Sequence, residues 1–314
     1  MWAVQYHRCG GPEVLRVEDV PAPRLREGQV LVRTLASAVS RIDVMYRRGR
    51  LPHGLFPKQT GFDAVGQVVD SRTEAIVPGT WVAVVLEPLR SRGTTVELLA
   101  VEPSRCGLFP HGYTPRVEDC ALVLGGLTAL RALRDGVRIR PGERMLVVGA
   151  GGPVGLAAIQ MARACGAGVD AVAGRAALHS CLTLGAAEAW DHRGTEMSEL
   201  RASQRYDALV VAGGKPSEWL PAVRRGGRAA ITDGGAWPGS IPTALRTGVR
   251  SVPVAAGHGS EELTWLARRI ARGDLVPVVG RRYGPDGVAR AHAELGAGGT
   301  CGARIIDHRQ TRIL

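Results

Sequence analysis

Two domains of different character are predicted for this α/β chain of 314 residues: a compact β-rich N-terminal part, then a doubly wound parallel sheet with helices on both faces. Three observations predict them. Residues 1–118 contain short alternating apolar runs broken by Pro and Gly. Residues 145–173 read as strand, glycine turn, helix and second strand. Alternation of strands and helices then continues as far as residue 256.

In chain order, GQVLVRTLA (28–36) and GQVVDS (66–71) carry the period-two pattern of half-buried strands. The uncharged run 145–161 approaches the length of a membrane helix, but Gly149, Gly151, Gly152, Pro153 and Gly155 in its middle argue against one. MLVVGA instead suits a strand buried on both faces. Pro153 suits the first position of a helix, since its missing N–H is not needed there. Val154, Ala157, Ala158 and Met161 share one face of that helix, and Val169 to Ala173 forms the second strand.

Further units follow. A helix from His179 to Leu184 ends at Gly185, YDALVVAGG (206–214) is a strand meeting a glycine turn, and RRGGRAAITDGG (224–235) is turn, strand, turn. SVPVAA (251–256) is predicted as an exposed edge strand, and so as the seam of a homodimer. The helix 261–272 places Leu263, Leu266, Ala267 and Ile270 on one face with arginines opposite, which predicts packing between domains rather than a membrane-surface role.

A strand that delivers bare amides to a helix N-terminus makes an anion site, because unpaired N–H groups and the helix dipole both favour negative charge. Gly149, Gly152 and Gly155 recur every three residues, with Ala150 where the commonest dinucleotide fingerprint has its first glycine. The predicted cradle comprises these glycines with Pro153 and Val154, Gly174 after the second strand and Gly213 after a later one. An NAD site usually places Asp or Glu at the end of the second strand; here it ends Ala173-Gly174-Arg175, so NADPH is the cofactor expected, with Arg175 on the 2′-phosphate.

Composition limits the alternatives. Hydrophobic residues at 45% and charged residues at 22% are ordinary for a globular protein, and only the aromatic content of 4% is low. The net charge of +11 raises the question of nucleic acid, but the arginines are dispersed and Lys58 and Lys215 are the only lysines, so nucleic acid is not an expected partner. The six cysteines form no C-x-x-C pair, and MWAVQYHRCGG lacks the layout of a signal peptide, which together predict a cytoplasmic protein with reduced thiols. GGKPS (213–217) lacks the earlier glycine of a phosphate loop, and there is neither a G-x-S-x-G elbow nor an H-E-x-x-H helix. The histidines show no ligand spacing.

The order MWAVQY…GGPEVLRVEDVPAPRLREGQVLVRTLASAVSRIDVMYRRG, FPKQTGFDAVGQVV, LGGLTAL, VVGAGGPVGLAAIQMAR and RGDLVPVVGRRYGPDGVARAHAEL resembles the zinc-independent quinone oxidoreductase and enoyl reductase branch of the medium-chain dehydrogenase/reductase superfamily. The resemblance covers essentially the whole chain. It implies a GroES-like catalytic domain, 1–118 with 261–314, and a Rossmann cofactor domain, 119–260. Zinc-dependent relatives have Cys at the position of Ser40 and His-Glu at Phe62-Asp63; Phe62 cannot ligate zinc, so no metal is expected. Relatives usually have Asn, Asp and Tyr at the positions of Ser40, Asp43 and Met45, and this chain moves the tyrosine to Tyr46. Thr128 in GLTAL resembles the family threonine near the nicotinamide.

The function expected from this resemblance is NADPH-dependent hydride transfer to an enone, enoyl thioester or quinone, with Ser40, Asp43 and Tyr46 as the catalytic candidates. The arginine-rich composition fits a GC-rich bacterial source and a role in specialised metabolism. The alternative is a nucleotide-binding protein without turnover that acts by binding, RNA being the partner its charge would favour.

Overall fold

The computed structural model describes residues 1–310 apart from His53, residues 88–91, Gly234, His258 and Gly298. It divides into two compact units, one of Met1–Leu124, Gly257–Gly298 and Ala303–Leu314, the other of Gly125–Ala256 and Gly299–Gly302.

Strands β1 (Trp2–Tyr6), β2 (Arg16–Asp19), β3 (Val30–Val39), β4 (Lys58–Gln59) and β5 (Asp63–Ser71) open the chain, with helix α1 (Arg41–Arg47) after β3. Next come β6 (Trp81–Val85), β7 (Leu98–Val101), β8 (Cys106–Leu108) and α2 (Val123–Arg131). The second unit continues with β9 (Arg144–Val148), α3 (Pro153–Ala164), β10 (Gly168–Ala173), α4 (Leu178–Thr183), β11 (Glu188–Asp191) and α5 (Met197–Ala202). It closes with β12 (Tyr206–Val211), α6 (Pro216–Trp219), β13 (Val223–Ile231), α7 (Ile241–Thr247) and β14 (Arg250–Pro253). Helix α8 (Ser260–Ala271), β15 (Val279–Tyr283), α9 (Val288–Ala297) and β16 (Ala303–Asp307) complete the chain.

In the first unit a small sheet, β2-β1-β4, accompanies a larger one in the order β15-β16-β3-β5-β6-β8, with β7 also on β3. The C-terminal β16 pairs antiparallel with β3 (Ile306 opposite Ser37), so residues far apart in sequence share one sheet. The turn after β16 is anchored by His308, whose imidazole lies 2.7 Å from the Thr34 hydroxyl and 3.0 Å from that of Ser37. Two hydrophobic clusters among the described residues of this unit form around these sheets, one including Val30, Val32, Val82 and Val84, the other Val4, Tyr6 and Ile306.

Helix α8 buries Leu263, Leu266, Ala267 and Ile270 as the sequence predicts. Its seat corrects the expectation of packing between domains: α8 lies on β8 and β6 of the same unit. The physical reason is Gly107 on β8, where an added Cβ would stand 2.4 Å from the Leu263 carbonyl carbon; only a bare backbone admits the helix that closely.

The second unit is a parallel sheet in the order β11-β10-β9-β12-β13-β14, the doubly wound arrangement. Met145, Leu146, Val147 and Val148 on β9 are buried, as a strand covered on both faces requires. The order reverses between β9 and β12, and their C-terminal ends, Val148 and Val211, are register partners there. This switch point places the glycine turn after β9 beside the turn at Ala212-Gly213. β14 occupies the outer position of the sheet.

Candidate functional site

Each glycine of the turn after β9 answers to a different constraint. Gly149 has φ +76°, and a Cβ there would lie 2.6 Å from the Gly213 amide nitrogen, so both left-handed backbone and close approach demand glycine. At Gly155 a Cβ would lie 2.5 Å from the Ala150 Cα, which lets α3 press on the end of β9. Gly152, the residue preceding Pro153, has φ −88°, and its nearest protein atom to a Cβ is 3.6 Å away. Nothing in the protein requires glycine at 152; the space beside it is what a ligand approaching the backbone would use.

The cradle is held rigidly. The Gly149 and Ala150 amides both donate to the Val172 carbonyl at 3.0 Å, Ala212 N–H donates to Val148 O at 2.8 Å, and Gly302 N–H donates to Gly151 O at 2.9 Å. No side chain caps α3, and Pro153 has no N–H, so the first-turn amides of Val154 and Gly155 lack an internal acceptor. Gly125 on α2 would place a Cβ 2.7 Å from that of Pro153, so α2 passes close to the start of α3, and Thr128, one turn further along α2, is buried. Open space at Gly152 with converging amides fits the diphosphate of a dinucleotide.

At the end of β10, Gly174 precedes Arg175, whose side chain is exposed and has no carboxylate partner among the described residues. β11 ends alongside, with Asp191 opposite Ala173. The Asp191 carboxylate accepts the Arg193 amide at 3.1 Å, and the His192 ring lies 3.9 Å from where a Gly174 Cβ would stand. Sequence reading missed this second strand end. Its signal was EAWD, too short a run to claim a strand by periodicity.

In the first unit, Ser40 precedes α1 and Asp43 sits in its first turn. The Asp43 carboxylate accepts the Ser40 amide at 2.8 Å, the Ser40 hydroxyl at 2.5 Å, the Gly61 amide at 2.8 Å and the Thr60 hydroxyl at 3.3 Å. Burial pushes the Asp43 acid up against these bonds, and it joins α1 to the 60–61 turn. The Ser40 hydroxyl proton is therefore committed to Asp43.

Tyr46 packs its ring on Phe62, 5.5 Å between centroids, with the Lys58 ammonium 4.4 Å above it. Its hydroxyl makes no hydrogen bond among the described residues, and burial pushes the phenol's pKa up from its ordinary value, keeping the proton on oxygen. Lys58 was not singled out in the sequence because a lone lysine in a loop carries no pattern. Burial lowers its own affinity for a proton.

Asp63 was noted only as part of a lost zinc pair. It is 1% exposed; Oδ2 accepts the Leu124 amide at 3.0 Å and Oδ1 has no partner among the described residues. Burial, reinforced by the charge of Asp43, pushes it up to about 8. Among the described residues no group of three or more His, Cys, Asp or Glu side chains is placed to hold a metal ion. No described helix is long and apolar enough to cross a membrane.

The family models for an alcohol dehydrogenase GroES-like domain and a zinc-binding dehydrogenase match residues 26–133 and 184–306. A quinone oxidoreductase of Lama guanicoe is 31% identical, the alignment covering 94% of this chain and 93% of that protein. One from Pseudomonas aeruginosa is 28% identical over 96% of this chain and 98% of its own. The structure of a quinone oxidoreductase from Coxiella burnetii superposes with a TM-score of 0.88 at 22% identity, covering 98% and 99% of the two chains. That of an NAD-dependent alcohol dehydrogenase gives 0.85 at 27%, also covering 98% and 99%.

A GroES-like domain joined to a Rossmann domain defines a nicotinamide-dependent oxidoreductase. This chain belongs to the medium-chain dehydrogenase/reductase superfamily, in its zinc-independent quinone oxidoreductase branch.

The glycines separate folding from binding. Gly152→Ala should unfold in urea as the wild type does yet lose nucleotide affinity in a fluorescence titration, whereas Gly155→Ala should lose about 1–3 kcal/mol of stability through overpacking. Asp63 adds a pH dependence. Because its folded-state value of about 8 exceeds that of an exposed carboxyl, the stability it contributes is complete below about pH 4 and is lost as pH rises toward 8. Asp63→Asn should therefore flatten the decline of the urea midpoint between pH 5 and 8.

Proposed function

We propose that the protein is an NADPH-dependent, zinc-independent reductase that delivers hydride to an enone, enoyl thioester or quinone. The observation that carries the NADPH reading is Arg175: an exposed guanidinium without a carboxylate partner at the end of β10, where an NAD site places an acid. The nearest strand-end acid, Asp191, is on β11 and is held by the Arg193 amide. The quinone oxidoreductases matched along nearly the whole chain support the reductive chemistry.

The amides at the start of α3 hold the diphosphate, Gly152 admits it, and Arg175 takes the 2′-phosphate. Thr128 on α2, whose Gly125 lies against Pro153, helps to orient the nicotinamide. When bound, the reduced nicotinamide supplies the hydride. Polarisation of the acceptor carbonyl then needs a hydrogen-bond donor. Of the three candidates, Tyr46 has a hydroxyl proton uncommitted to the protein, while that of Ser40 is given to Asp43 and Asp43 itself positions α1 and Gly61. Tyr46 is thus the donor to the acceptor oxygen, with Lys58 over its ring favouring charge that develops on the phenol. The outer edge of β14 is assigned to a homodimer, and the protein to the cytoplasm.

Side-by-side titration of NADPH and NADH into wild type and Arg175→Ala tests the cofactor. NADPH should bind more tightly, and the substitution should weaken it by about 1–3 kcal/mol while leaving NADH unchanged. Equal binding of both by the wild type would overturn the assignment. Tyr46→Phe should lower kcat for an enone by about tenfold or more without changing the Kd for NADPH; an unchanged kcat would remove Tyr46 from the chemistry.

A further inference from the structure

Away from the residues assigned to hydride transfer, the first unit has a cavity of about 500 Å³ lined by the 110–113 turn on one side and by Arg268, Ala271 and Arg272 of the C-terminal end of α8 on the other. Its chemistry is one-sided. Arg268 and Arg272 are exposed, stand four residues apart and so share a helix face, and neither has a carboxylate partner among the described residues. His111 adds a third nitrogen donor, and no acid lines the cavity.

Two unpaired like charges at this spacing repel each other. Cations in the last turn of a helix do complement its dipole. Arg269, in the same turn, is engaged elsewhere, bonding Asp274 at 3.0 Å and lying over the Trp265 ring. Arg268 and Arg272 line the cavity, where one anion between them would turn repulsion into a pair of charge-assisted bonds.

The opposite wall is preformed. Tyr113 N–H donates to Pro110 O at 3.1 Å, and Gly112 has φ +82° with nothing within 4 Å of a Cβ, so the turn is closed and its outer side is open. Tyr113 stacks on Phe109, 5.6 Å between centroids, and its hydroxyl donates to Asp119 at 2.7 Å. Asp119 also accepts from the Arg116 amide and guanidinium. Pro110, Ala271 and the tyrosine ring add an apolar surface beside the cations.

We infer that this cavity binds the phosphate group of a small molecule, the two guanidiniums holding the oxygens and the apolar wall receiving the organic part. The occupant is an organic phosphate monoester or free phosphate, which share the anionic group. This site is independent of the nucleotide cradle and of the reduction assigned above.

The test is calorimetric titration of the full chain with phenyl phosphate and, separately, inorganic phosphate, at constant ionic strength set with chloride. Wild type is compared with Arg268→Gln/Arg272→Gln and Arg268→Lys/Arg272→Lys; the nucleotide cradle is intact in all three, so any difference belongs to this cavity. Saturable binding that the Gln variant weakens about a hundredfold, about tenfold for each lost charge-assisted contact, and the Lys variant partly restores is the expected result. Tighter binding of phenyl phosphate identifies an organic ester as the source, and equal binding identifies free phosphate. Affinity unchanged in the Gln variant would overturn the inference, as would binding abolished by chloride alone. If Arg268 and Arg272 serve only the helix dipole, the Gln variant unfolds at lower urea with no change in phosphate binding, which also overturns it.

Discussion

The second unit depends on how closely bare backbone can approach bare backbone at the end of β9. A Cβ at Gly149 would meet the turn after β12, and one at Gly155 would meet Ala150, so the loop can close only where side chains are missing. That closeness lets the Gly149 and Ala150 amides share one carbonyl and leaves the first amides of α3 without a protein acceptor. Gly152 is the exception, because its missing side chain leaves room the protein does not fill. Glycines that the fold requires thus flank, within seven residues, one that it does not.

A comparable centre in the first unit is the Asp43 carboxylate. Removing a carboxylate from water is costly, and four donors from the start of α1 and the 60–61 turn offset part of that cost. In doing so they settle which hydroxyl remains available. Ser40 spends its proton on Asp43, while Tyr46, three residues further along α1, keeps its own beneath Lys58. At Asp63, too, burial outweighs hydrogen bonding: with one donor for Oδ2 and none for Oδ1, the acid holds its proton into the neutral range.

Much of this was legible before any coordinates. The apolar run of β9, Pro153 at the head of α3 and the glycines between them carry strong local signals, since each residue type is chosen by backbone geometry that neighbours in sequence impose. The buried face of α8 was equally clear from its periodicity. Its seat was not, because Gly107, the residue that admits it, lies more than 150 positions upstream of Leu263. β11 was missed for want of length, and Lys58 for want of a pattern around it.

The sequence by itself determined the class of each domain, the glycine cradle and the arginine at the end of β10, because these rest on local conformational preference and charge. Tertiary structure alone decided which titratable groups are paired, protonated or free. Whether Asp43 is surrounded by donors, Asp63 left short of them, or Arg268 and Arg272 turned toward the 110–113 turn depends on segments brought together from distant parts of the chain. Desolvation and hydrogen bonding act over a few ångströms in space, and no spacing along the sequence encodes that distance.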